Sequence, residues 1–541
     1  MSAKSEESPP VATAGASLTR SGPEVAKLFQ ILLALTFLVA WLSLGNQIDV
    51  LIGHRGLDPV ASLLPRLHEH NIGFSRFPSL LLYGASDDAI HGLIAWGVGV
   101  SALSLFGIFP RLLFAINTAL YLSITVACQG FLTFQWDNLL LECGMLAVFL
   151  SRNSEQRWSH FLFRALLFKL YFESGIAKYQ SPIGDWQDGS AMSFYYETAP
   201  IPTALAWFMH HMPATWHKLE SWLTLLWEIG VPFLIFGSRR IRLLALCVFS
   251  AFQIINILTA NYGFFSYLAL AMGVFLLAEN DAQRLHRAIR RNLIRVRAQL
   301  RARFSAKQVL FSRPLALLRL AARRVRHATH RMQALHGALP AALFRSLSSA
   351  PSVALRYAAI GCFTTAYLAL SLDGALQTFW RDAAPQDDFF DSVRDAYEPF
   401  RLVNTYHLFA AITRDRIEPE FQVYTGNDFQ PLSMHYKPGP LDRAPPFVAP
   451  YQPRVDFLLW FYGLSFQRGT PGYVVNLLHR LCDDPQAVQP LFVEPLPAHP
   501  QAVRIAFNAY HFTTSDERAQ TGNWWKREEA GQPITMGCQG R

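Results

Sequence analysis

Long apolar stretches recur along this chain, and each has about the length that an α-helix needs to cross a lipid bilayer. They lie near residues 28–46, 90–109, 111–127, 137–150, 159–176, 219–237, 241–259, 261–278 and 354–372. About 20 apolar residues of helix span the hydrocarbon core, and tilt or local thinning accommodates other lengths. Only 16% of the residues are charged, against about 25% in ordinary soluble domains. The sequence therefore predicts a polytopic α-helical membrane bundle of about nine transmembrane helices, of which 137–150 is the weakest.

Positive charge is concentrated in one segment between two of these stretches. From Arg284 to Arg331 the chain has 15 Arg or Lys residues and no Asp or Glu, although the net charge of the whole chain is only +9. Leu, Ile and Val are spaced among the arginines, a pattern typical of amphipathic segments that lie on anionic lipid headgroups. Nucleic acid attracts the same charge, but a segment tethered between two membrane helices favours lipid. We therefore expect membrane lipids, and no nucleic acid, as partners.

Positive residues in the short connections predict the orientation, because Lys and Arg favour the cytoplasmic side. A cytoplasmic N-terminus places Arg111, Arg152, Arg239 and the basic segment in the cytoplasm. The leader shows no clear cleavage site, so the first stretch is interpreted as a retained helix. We expect an integral protein of a bacterial inner membrane or of the endoplasmic reticulum membrane. Its expected parts are a polar cytoplasmic leader (1–27), a transmembrane core (28–278) with outer loops 47–89 and 177–218, a basic amphipathic cytoplasmic loop (279–353), a last transmembrane helix (354–372) and a periplasmic or luminal domain (373–541).

The C-terminal region has ordinary composition and predicts an α+β soluble domain with a small β-sheet. Alternating segments predict strands at 418–426, 429–438 and 502–512, with a turn at Gly426-Asn427-Asp428. Helical spacing predicts helices at 453–464 and 473–481. Cys482 and Cys538 lie in this domain. Whether they form a disulfide bridge depends on the compartment, and the sequence leaves this open.

Several polar residues lie inside or beside the apolar stretches, where a charge near the bilayer centre costs roughly 2.5–3.5 kcal/mol. Such residues normally face the bundle interior, so we expect a buried polar cluster of Trp136, Asp137, Asn138, Glu142, Lys169, Glu173, Glu228 and Asn256. Lys169 and Glu173 are four residues apart and share one helix face, which predicts an internal ion pair. Asp137 could instead cap its helix. These groups either lock neighbouring helices together or serve catalysis or transport.

The outer loop 177–218 is dense in aromatic and polar residues, and its candidate motif is Asp185, Trp186, Tyr195, Tyr196 and Glu197. Trp and Tyr near helix ends are usually interfacial anchors. Three histidines also lie here, but two of them are adjacent and would point apart on a helix, so no metal site is expected. The sequence has no hydrolase, zinc-protease, P-loop or Rossmann signature. No cofactor is evident, and a bound lipid is compatible with the bundle.

Several runs of this sequence resemble the lipase maturation factor family. In the membrane region they are QWDNLLLECGML (135–146), LLFKLYFESGIAKY (166–179) and GDWQDGSAMSFYYETAPIPTALAWFMHHMPATWHK (184–218). In the C-terminal region they are LVNTYHLFAAITRDRIEPE (402–420), HYKPGPLDRAPPFVAPYQPRVDFLLWFYGL (435–464), AYHFTT (509–514) and GNWWKRE (522–528). The resemblance implies a membrane protein that helps exported lipases reach their active fold, rather than a conventional enzyme. It also implies that the C-terminal domain lies in the lumen or periplasm.

On this interpretation the C-terminal domain presents a surface to partly folded exported client proteins. The residues expected on this surface are Asn404, Tyr406, Lys437, Pro438, Pro446, Pro450, Arg454, Asp456, Trp524 and Trp525. The Pro-rich stretch from Arg443 to Tyr451 is extended and preorganised, so binding another chain there would cost less entropy. The alternative is a strap that packs across its own domain.

A second, weaker similarity concerns LYFESGIAKYQSPIGDWQDG (170–189). This run resembles the segment of the vitamin K-dependent gamma-carboxylase (HTTM) superfamily in which a helix ends with a lysine shortly before Asp-Trp and Gly. The similarity implies that Lys178 occupies the position of a catalytic lysine, although Ser181 to Gly184 separate it from Asp185. Two alternatives to a folding factor follow. One is a carboxylase-like membrane enzyme that uses Lys178, and the other is a small-solute transporter that uses the buried charges.

Overall fold

The computed structural model describes residues 23–150, 157–305, 353–383 and 388–538. Its membrane region is mostly helical, and every predicted apolar stretch falls on a helix. The helices are α1 (Pro23–Gly45), α2 (Ile48–Ile52), α3 (Val60–Glu69), α4 (Asp87–Ser104), α5 (Pro110–Ala127), α6 (Gln135–Val148), α7 (Arg157–Tyr179), α8 (Ala191–Thr198), α9 (Ala204–His210), α10 (Ala214–Leu225), α11 (Arg239–Thr259), α12 (Phe265–Met272), α13 (Glu279–Ser305) and α14 (Val353–Phe379). The leader up to residue 22 and the basic-loop residues 306–352 lie outside the described residues.

Five of the described helices are long and apolar enough to cross a membrane, judged by length and composition. They are Pro23–Gly45, Pro110–Ala127, Ala214–Phe236, Arg239–Thr259 and Tyr357–Phe379. The third is irregular, because α10 continues as a π-helical turn (Leu226–Gly230) and a 3₁₀ segment (Val231–Phe236). Pro232 contributes to this change, since proline lacks the N–H that a regular helix needs. A count of about nine crossings therefore stays a prediction.

The two ends of α1 contact different parts of the chain. At its start, the carboxylate of Glu24 lies 2.8 Å from the imidazole Nδ1 of His286 on the basic helix α13. Just beyond its end, the side chain of Gln47 donates to the carbonyl oxygen of Gln452 in the C-terminal domain at 2.8 Å. A helix of this length extends about 34 Å. The basic helix and the C-terminal domain therefore lie at opposite ends of the bundle.

The C-terminal domain is built on a five-stranded antiparallel sheet. Its strands are β1 (Ile417–Tyr424), β2 (Phe429–Leu432), β3 (Ala502–Phe512), β4 (Trp525–Glu529) and β5 (Ile534–Gly537). They follow the order β2-β1-β3-β4, and β5 pairs with the first part of β3. In the register, Phe421 of β1 lies opposite Ile505 of β3, and both are fully buried. The three predicted strands are confirmed, the second of them shorter than expected.

The C-terminal domain has five helices, α15 (Asp388–Tyr397), α16 (Arg454–Ser465), α17 (Gly472–Asp483), α18 (Pro485–Val488) and α19 (Ser515–Thr521). Of these, α16 packs on β1 and α17 on β3. The helix α16 lies so close to β1 that a Cβ at Gly463 would be 2.0 Å from the carbonyl oxygen of Ile417, so only glycine fits there. Cys482 and Cys538 form a disulfide bridge that ties α17 to the end of β5. Both predicted helices, now α16 and α17, are confirmed.

Candidate functional site

The polar residues predicted in the membrane region do not form one cluster. Glu142, Asp137 and Glu228 each face a different cation, at three separate sites. Trp136 stacks on Phe134 with ring centroids 4.7 Å apart. Asn138 and Asn256 are only partly buried. Helical spacing predicts which residues share a face of a helix, but it does not predict which other element packs against that face. For this reason the expected single cluster is three separate sites in the structure.

Glu142 lies in a closed hydrogen-bond network. Its fully buried carboxylate accepts from Lys169 Nζ at 2.5 Å, from the hydroxyls of Tyr367 and Tyr406, each at 2.6 Å, and from the amide of Asn404 at 3.2 Å. These donors belong to α7, to α14 and to the C-terminal domain. The network therefore joins three parts of the chain to α6.

Lys169 and Glu173 do not form the ion pair that their spacing predicted. Lys169 reaches across to Glu142 on α6, whereas Glu173 accepts the backbone N–H of Tyr406 at 2.8 Å. The two residues do share one face of α7, as their spacing requires. The predicted partner of Lys169 is wrong because the carboxylate of Glu142, on the neighbouring helix α6, lies closer to its ammonium group than that of Glu173. Lys169 also lies 3.3 Å from the hydroxyl of Ser371 on α14.

Asp137 holds the start of α16 against the bundle. Its carboxylate accepts two hydrogen bonds from Arg454, at 2.6 and 2.8 Å, and one from the hydroxyl of Tyr121 at 2.7 Å. Burial opposes the charge of Arg454, but the ion pair outweighs it and the pKa of Arg454 is raised above its ordinary value. The interpretation of Asp137 as a helix cap is therefore wrong. Its carboxylate binds the C-terminal domain.

The outer-loop motif also contacts the C-terminal domain. Asp185 accepts the backbone N–H of Ile412 at 2.7 Å. Glu197 accepts the backbone N–H of Phe512 at 2.7 Å and lies 3.0 Å from Nδ1 of His511. The hydrogen bond to Glu197 raises the pKa of His511 above its ordinary value. Burial favours the neutral form of Glu197, but its hydrogen bonds prevail and its pKa is lowered.

The aromatic residues of this motif are not interfacial anchors, so that expectation is wrong. Trp186, Tyr195 and Tyr196 are 2%, 7% and 1% exposed. The hydroxyls of Tyr195 and Tyr262 lie 2.9 Å apart. Interfacial anchors need one side in contact with lipid headgroups, whereas these rings pack between the loop and the neighbouring helices.

Much of the surface predicted on the C-terminal domain is buried. The buried members are Tyr406, Lys437, Pro438, Arg454, Asp456 and Trp525. Lys437 forms an ion pair with Glu418 at 2.6 Å, and burial lowers the pKa of Lys437. Burial raises the pKa of Asp456 to about 7. The prediction of a client-binding surface at these residues is therefore wrong, because they contact the bundle or the core of their own domain.

The remaining predicted surface residues lie mostly at contacts. Asn404 and Pro446 are partly buried, and Trp524 packs against the guanidinium of Arg518. Pro450 is exposed. The Pro-rich stretch is a strap across the bundle, since the side chain of Asn261 accepts the backbone N–H groups of Val448 and Ala449 at 2.7 and 2.8 Å. This contact favours the strap interpretation, and the surface that the strap covers is the connection between α11 and α12.

A cavity of about 210 Å³ lies beside Lys178, at the end of the bundle that meets the C-terminal domain. Lys178 forms an ion pair with Glu228 at 2.6 Å and donates to the carbonyl oxygen of Leu408 at 2.8 Å. Glu228 belongs to the π-helical turn after α10, and such turns are frequent at functional sites. The walls come from α7, α8, α10, α11 and the loop that carries Leu408 and Phe409.

Apart from Oε2 of Glu228, which pairs with Lys178, two buried polar atoms on the cavity wall have no hydrogen-bond partner among the described residues. They are the indole Nε1 of Trp186 and the amide Oε1 of Gln253. Burying such a group without a partner costs roughly 1–3 kcal/mol. Within the described ranges, no group of three or more His, Cys, Asp or Glu residues could hold a metal ion. The wall of this cavity therefore offers a small ligand one hydrogen-bond donor and one acceptor.

Several residues of these sites were missed at the sequence level. Tyr367 and Asn261 were counted only as parts of the apolar stretches 354–372 and 261–278. Arg416, which donates to the carbonyl oxygens of Glu197 and Pro200 at 3.0 Å each, was not singled out. Arg416 is 1% exposed. Its position two residues before Glu418 was the available signal, because alternation on a strand places both side chains on one face.

Comparison with known proteins gives consistent matches over most of the chain. The lipase maturation factor transmembrane domain matches residues 25–284, and the lipase maturation factor C-terminal domain matches residues 402–535. Lipase maturation factor 2 of Homo sapiens is 29% identical, over 93% of this chain and 82% of that protein. Lipase maturation factor 2 of Gallus gallus is 28% identical, over 93% and 80%. Lipase maturation factor 1 of Mus musculus is 26% identical, over 92% and 84%. No solved structure matches this chain.

Proposed function

Because this chain belongs to the lipase maturation factor family, we propose that it is an integral membrane protein that assists the maturation of exported proteins, with lipases as clients. The names of its relatives support lipases as the client class. This chain contains both family domains, the transmembrane domain first and the C-terminal domain after it. We further propose that the two domains act as one unit rather than as a tethered pair.

The observation that carries this proposal is the set of buried polar contacts between the two domains. Glu142 binds Asn404 and Tyr406, Asp137 binds Arg454, and Glu197 binds the amide of Phe512. A buried polar group that loses its partner costs free energy, so these contacts disfavour separation. A fixed domain at the outer end of the bundle suits a factor that holds its client close to the membrane.

We propose that the N-terminus is cytoplasmic and that the C-terminal domain lies in the periplasm or the lumen. Two facts support this orientation. The basic helix α13 meets the start of α1, and the C-terminal domain meets the region after its end. The Cys482–Cys538 bridge suits an oxidising compartment. A cytosolic signal from a reporter fused after Arg541 would contradict the orientation, as would free Cys482 and Cys538 thiols in protein alkylated before lysis.

The maturation role is tested by deleting the gene and restoring it. We expect the deletion to lower the activity of exported lipase per amount of lipase antigen, because unassisted lipase is made but does not reach its active fold. The full chain should restore the activity. An exported enzyme of another class, measured in the same cells, serves as the control for general secretion defects. Unchanged lipase activity per antigen in the deletion strain would overturn the role.

A second function is favoured by one observation, the position of Lys178 at a cavity wall. In that function the chain is a membrane enzyme in which Lys178 acts as a base or nucleophile. A desolvated lysine beside a carboxylate can exchange a proton with a bound substrate. Lys178→Met should then abolish restoration of lipase activity while the protein folds at normal yield. Full restoration by a well-folded Lys178→Met protein removes this function and leaves the folding factor intact.

A further inference from the structure

The cavity beside Lys178 has apolar walls and a small set of polar atoms at one side. Its wall includes the rings of Tyr171, Trp227, Phe252 and Phe265. Its volume of about 210 Å³ equals that of about seven water molecules in the liquid, and an apolar cavity of about 150 Å³ already holds benzene. This space fits a segment of one alkyl chain and is too small for a lipid with two chains.

The cavity reaches the surface between the outward faces of α10 and α11. The exposed members of its lining are Trp216, at 40%, and Ile255, at 41%. Nearby positions on α10, on the turn that follows it and on α11 are also apolar and exposed: Trp222, Leu226 and Leu258. A surface of this composition on a membrane bundle faces lipid. The mouth of the cavity therefore opens onto the hydrocarbon side, near the outer end of the bundle.

The polar side of the cavity selects against a charged head group. Lys178 and Glu228 neutralise each other at 2.6 Å. The third charged residue of the lining, Glu220, accepts from the hydroxyl of Tyr196 and lies 3.3 Å from Nδ1 of His217. The charged groups of the wall therefore already have partners, and a buried ion would be costly to desolvate there. The unpartnered atoms are a donor, Nε1 of Trp186, and an acceptor, Oε1 of Gln253. A hydroxyl group can both accept and donate a hydrogen bond. An uncharged head group that carries hydroxyls therefore matches this wall.

The C-terminal domain closes the cavity. Leu408 and Phe409 line it, and the carbonyl oxygen of Leu408 binds Lys178. Phe409 has a φ of +54°, a left-handed conformation that is strained for a bulky residue. Its ring packs on Tyr262 with centroids 4.9 Å apart. Strained residues of this kind cluster at ligand clamps and similar sites, which is consistent with a lid over a ligand.

We propose that this cavity binds one single-chain amphiphile with an uncharged, hydroxyl-bearing head group, which enters from the outer leaflet. The chain lies between α10 and α11, and the head group bonds with Trp186 and Gln253. This proposal does not depend on the proposed maturation role, and the two are tested separately, by lipid capture and by lipase activity. A protein that binds the amphiphile without maturing lipase, or the reverse, separates the two proposals.

The test uses the full chain in lipid nanodiscs and a 1-monoacylglycerol with a photoactivatable diazirine near the end of its chain. After illumination, mass spectrometry of the digested protein locates the labelled peptides. We expect labelling concentrated at the end of α7, on α10 and on α11. Excess 1-oleoylglycerol should compete, whereas a two-chain phosphatidylglycerol should not. Labelling spread evenly over all lipid-facing helices, or competition by phosphatidylglycerol alone, would overturn the proposal.

Two substitutions on α10 and the turn that follows it provide a matched pair. Thr224 lines the cavity and is 7% exposed, whereas Leu226 is 58% exposed and does not line it. Thr224→Trp should fill the cavity and lower labelling at least tenfold, while Leu226→Trp should leave labelling unchanged. Equal labelling of the two proteins contradicts the site.

A gentler variant keeps the test decisive if Thr224→Trp does not fold. Trp186→Phe retains a ring but removes the indole N–H, and one lost hydrogen bond should weaken 1-oleoylglycerol competition about fivefold. Trp96→Phe, at a tryptophan that is 71% exposed on α4, is the control for a general effect of replacing tryptophan. Equal competition in Trp186→Phe and the unsubstituted protein rules out the proposed head-group contact.

Discussion

Glu142 and Glu228 are both buried carboxylates, and each faces a lysine of the same helix, α7, yet their surroundings differ. Glu142 accepts four hydrogen bonds from three parts of the chain. Glu228 faces Lys178 at the wall of a cavity, inside a π-helical turn. The first carboxylate has its hydrogen-bonding capacity used by the protein itself. The second keeps a side that a ligand or water can reach.

This difference separates structural from functional uses of buried charge. A fully satisfied polar network fixes a unique arrangement, and every member is costly to remove. A pair beside a cavity can be rearranged, because solvent or a ligand replaces the lost contact. Substitutions at the two carboxylates should therefore differ in their effect on stability, and those near Glu228 should act mainly on binding.

The largest expected effect is at the closed network. Glu142→Ala leaves Lys169 without its carboxylate, which costs about 3–5 kcal/mol for a buried pair. It also leaves the buried hydroxyls of Tyr367 and Tyr406 without their acceptor, which should lower the free energy of unfolding by about 1–3 kcal/mol each. The sum approaches the whole stability of an ordinary protein, about 5–15 kcal/mol. We expect little folded protein in size-exclusion chromatography after extraction.

Glu142→Gln serves as the matched control at the same position. It keeps one acceptor oxygen and the shape of the side chain, so it should recover part of the folded yield. If Glu142→Ala folds at the yield of the unsubstituted chain, Glu142 is not a structural centre and the contrast with Glu228 disappears.

The next effect concerns the Arg454–Asp137 pair, which has the same closed character. Arg454→Met leaves the carboxylate of Asp137 buried and unpaired, which should cost about 3–5 kcal/mol. The double variant Arg454→Met, Asp137→Leu removes both charges and should recover most of the loss. Denaturant titration in one detergent measures both proteins. Arg76→Ala is the control, since Arg76 and Asp395 form an exposed pair, 70% and 68% exposed; a comparable loss there would show that the assay does not distinguish buried pairs.

The sequence predicted the elements of the fold better than it predicted their contacts. Apolar stretches and alternation suffice for α7, β1 and β3, because burial on one face imposes a period. The partner of Lys169 could not be obtained from spacing, since a helical period does not name the helix that faces it. Arg454 was expected on a surface, because its carboxylate partner lies 317 residues earlier. The cavity had no sequence signal at all, since it is a space between helices.

The third effect is expected to be smaller, and it makes the comparison quantitative. Glu228→Ala is the same substitution as Glu142→Ala, but Lys178 keeps the carbonyl oxygen of Leu408 at 2.8 Å and the cavity admits water. We expect a loss of about 1.5–3 kcal/mol, the cost of one hydrogen bond to a charged group. Denaturant titration checks it in the same detergent. A loss of stability as large as that of Glu142→Ala would mean that water in the cavity does not solvate the ammonium group of Lys178.

The smallest effect is the pH dependence of the half-buried contact between His511 and Glu197. The pKa of His511 is raised above its ordinary value of 6.5 by its hydrogen bond to Glu197. The folded chain therefore holds this proton more tightly than the unfolded chain. The stabilisation is fully present below the unfolded pKa and is lost as the pH rises through the folded pKa. We expect the thermal midpoint to fall between about pH 6 and about pH 8.5 by more in the unsubstituted chain than in His511→Gln.

The charges near His511 decide whether this prediction can be isolated. His210 lies 3.6 Å from Glu197, and burial lowers the pKa of His210, so its titration acts in the opposite direction and mainly at lower pH. Asp415 and Glu528 add to the raised pKa of His511. His70→Gln, at an exposed position after α3, controls for the loss of any histidine. An identical pH slope in His511→Gln and the unsubstituted chain would mean that Glu197 binds the C-terminal domain through the amide of Phe512 alone.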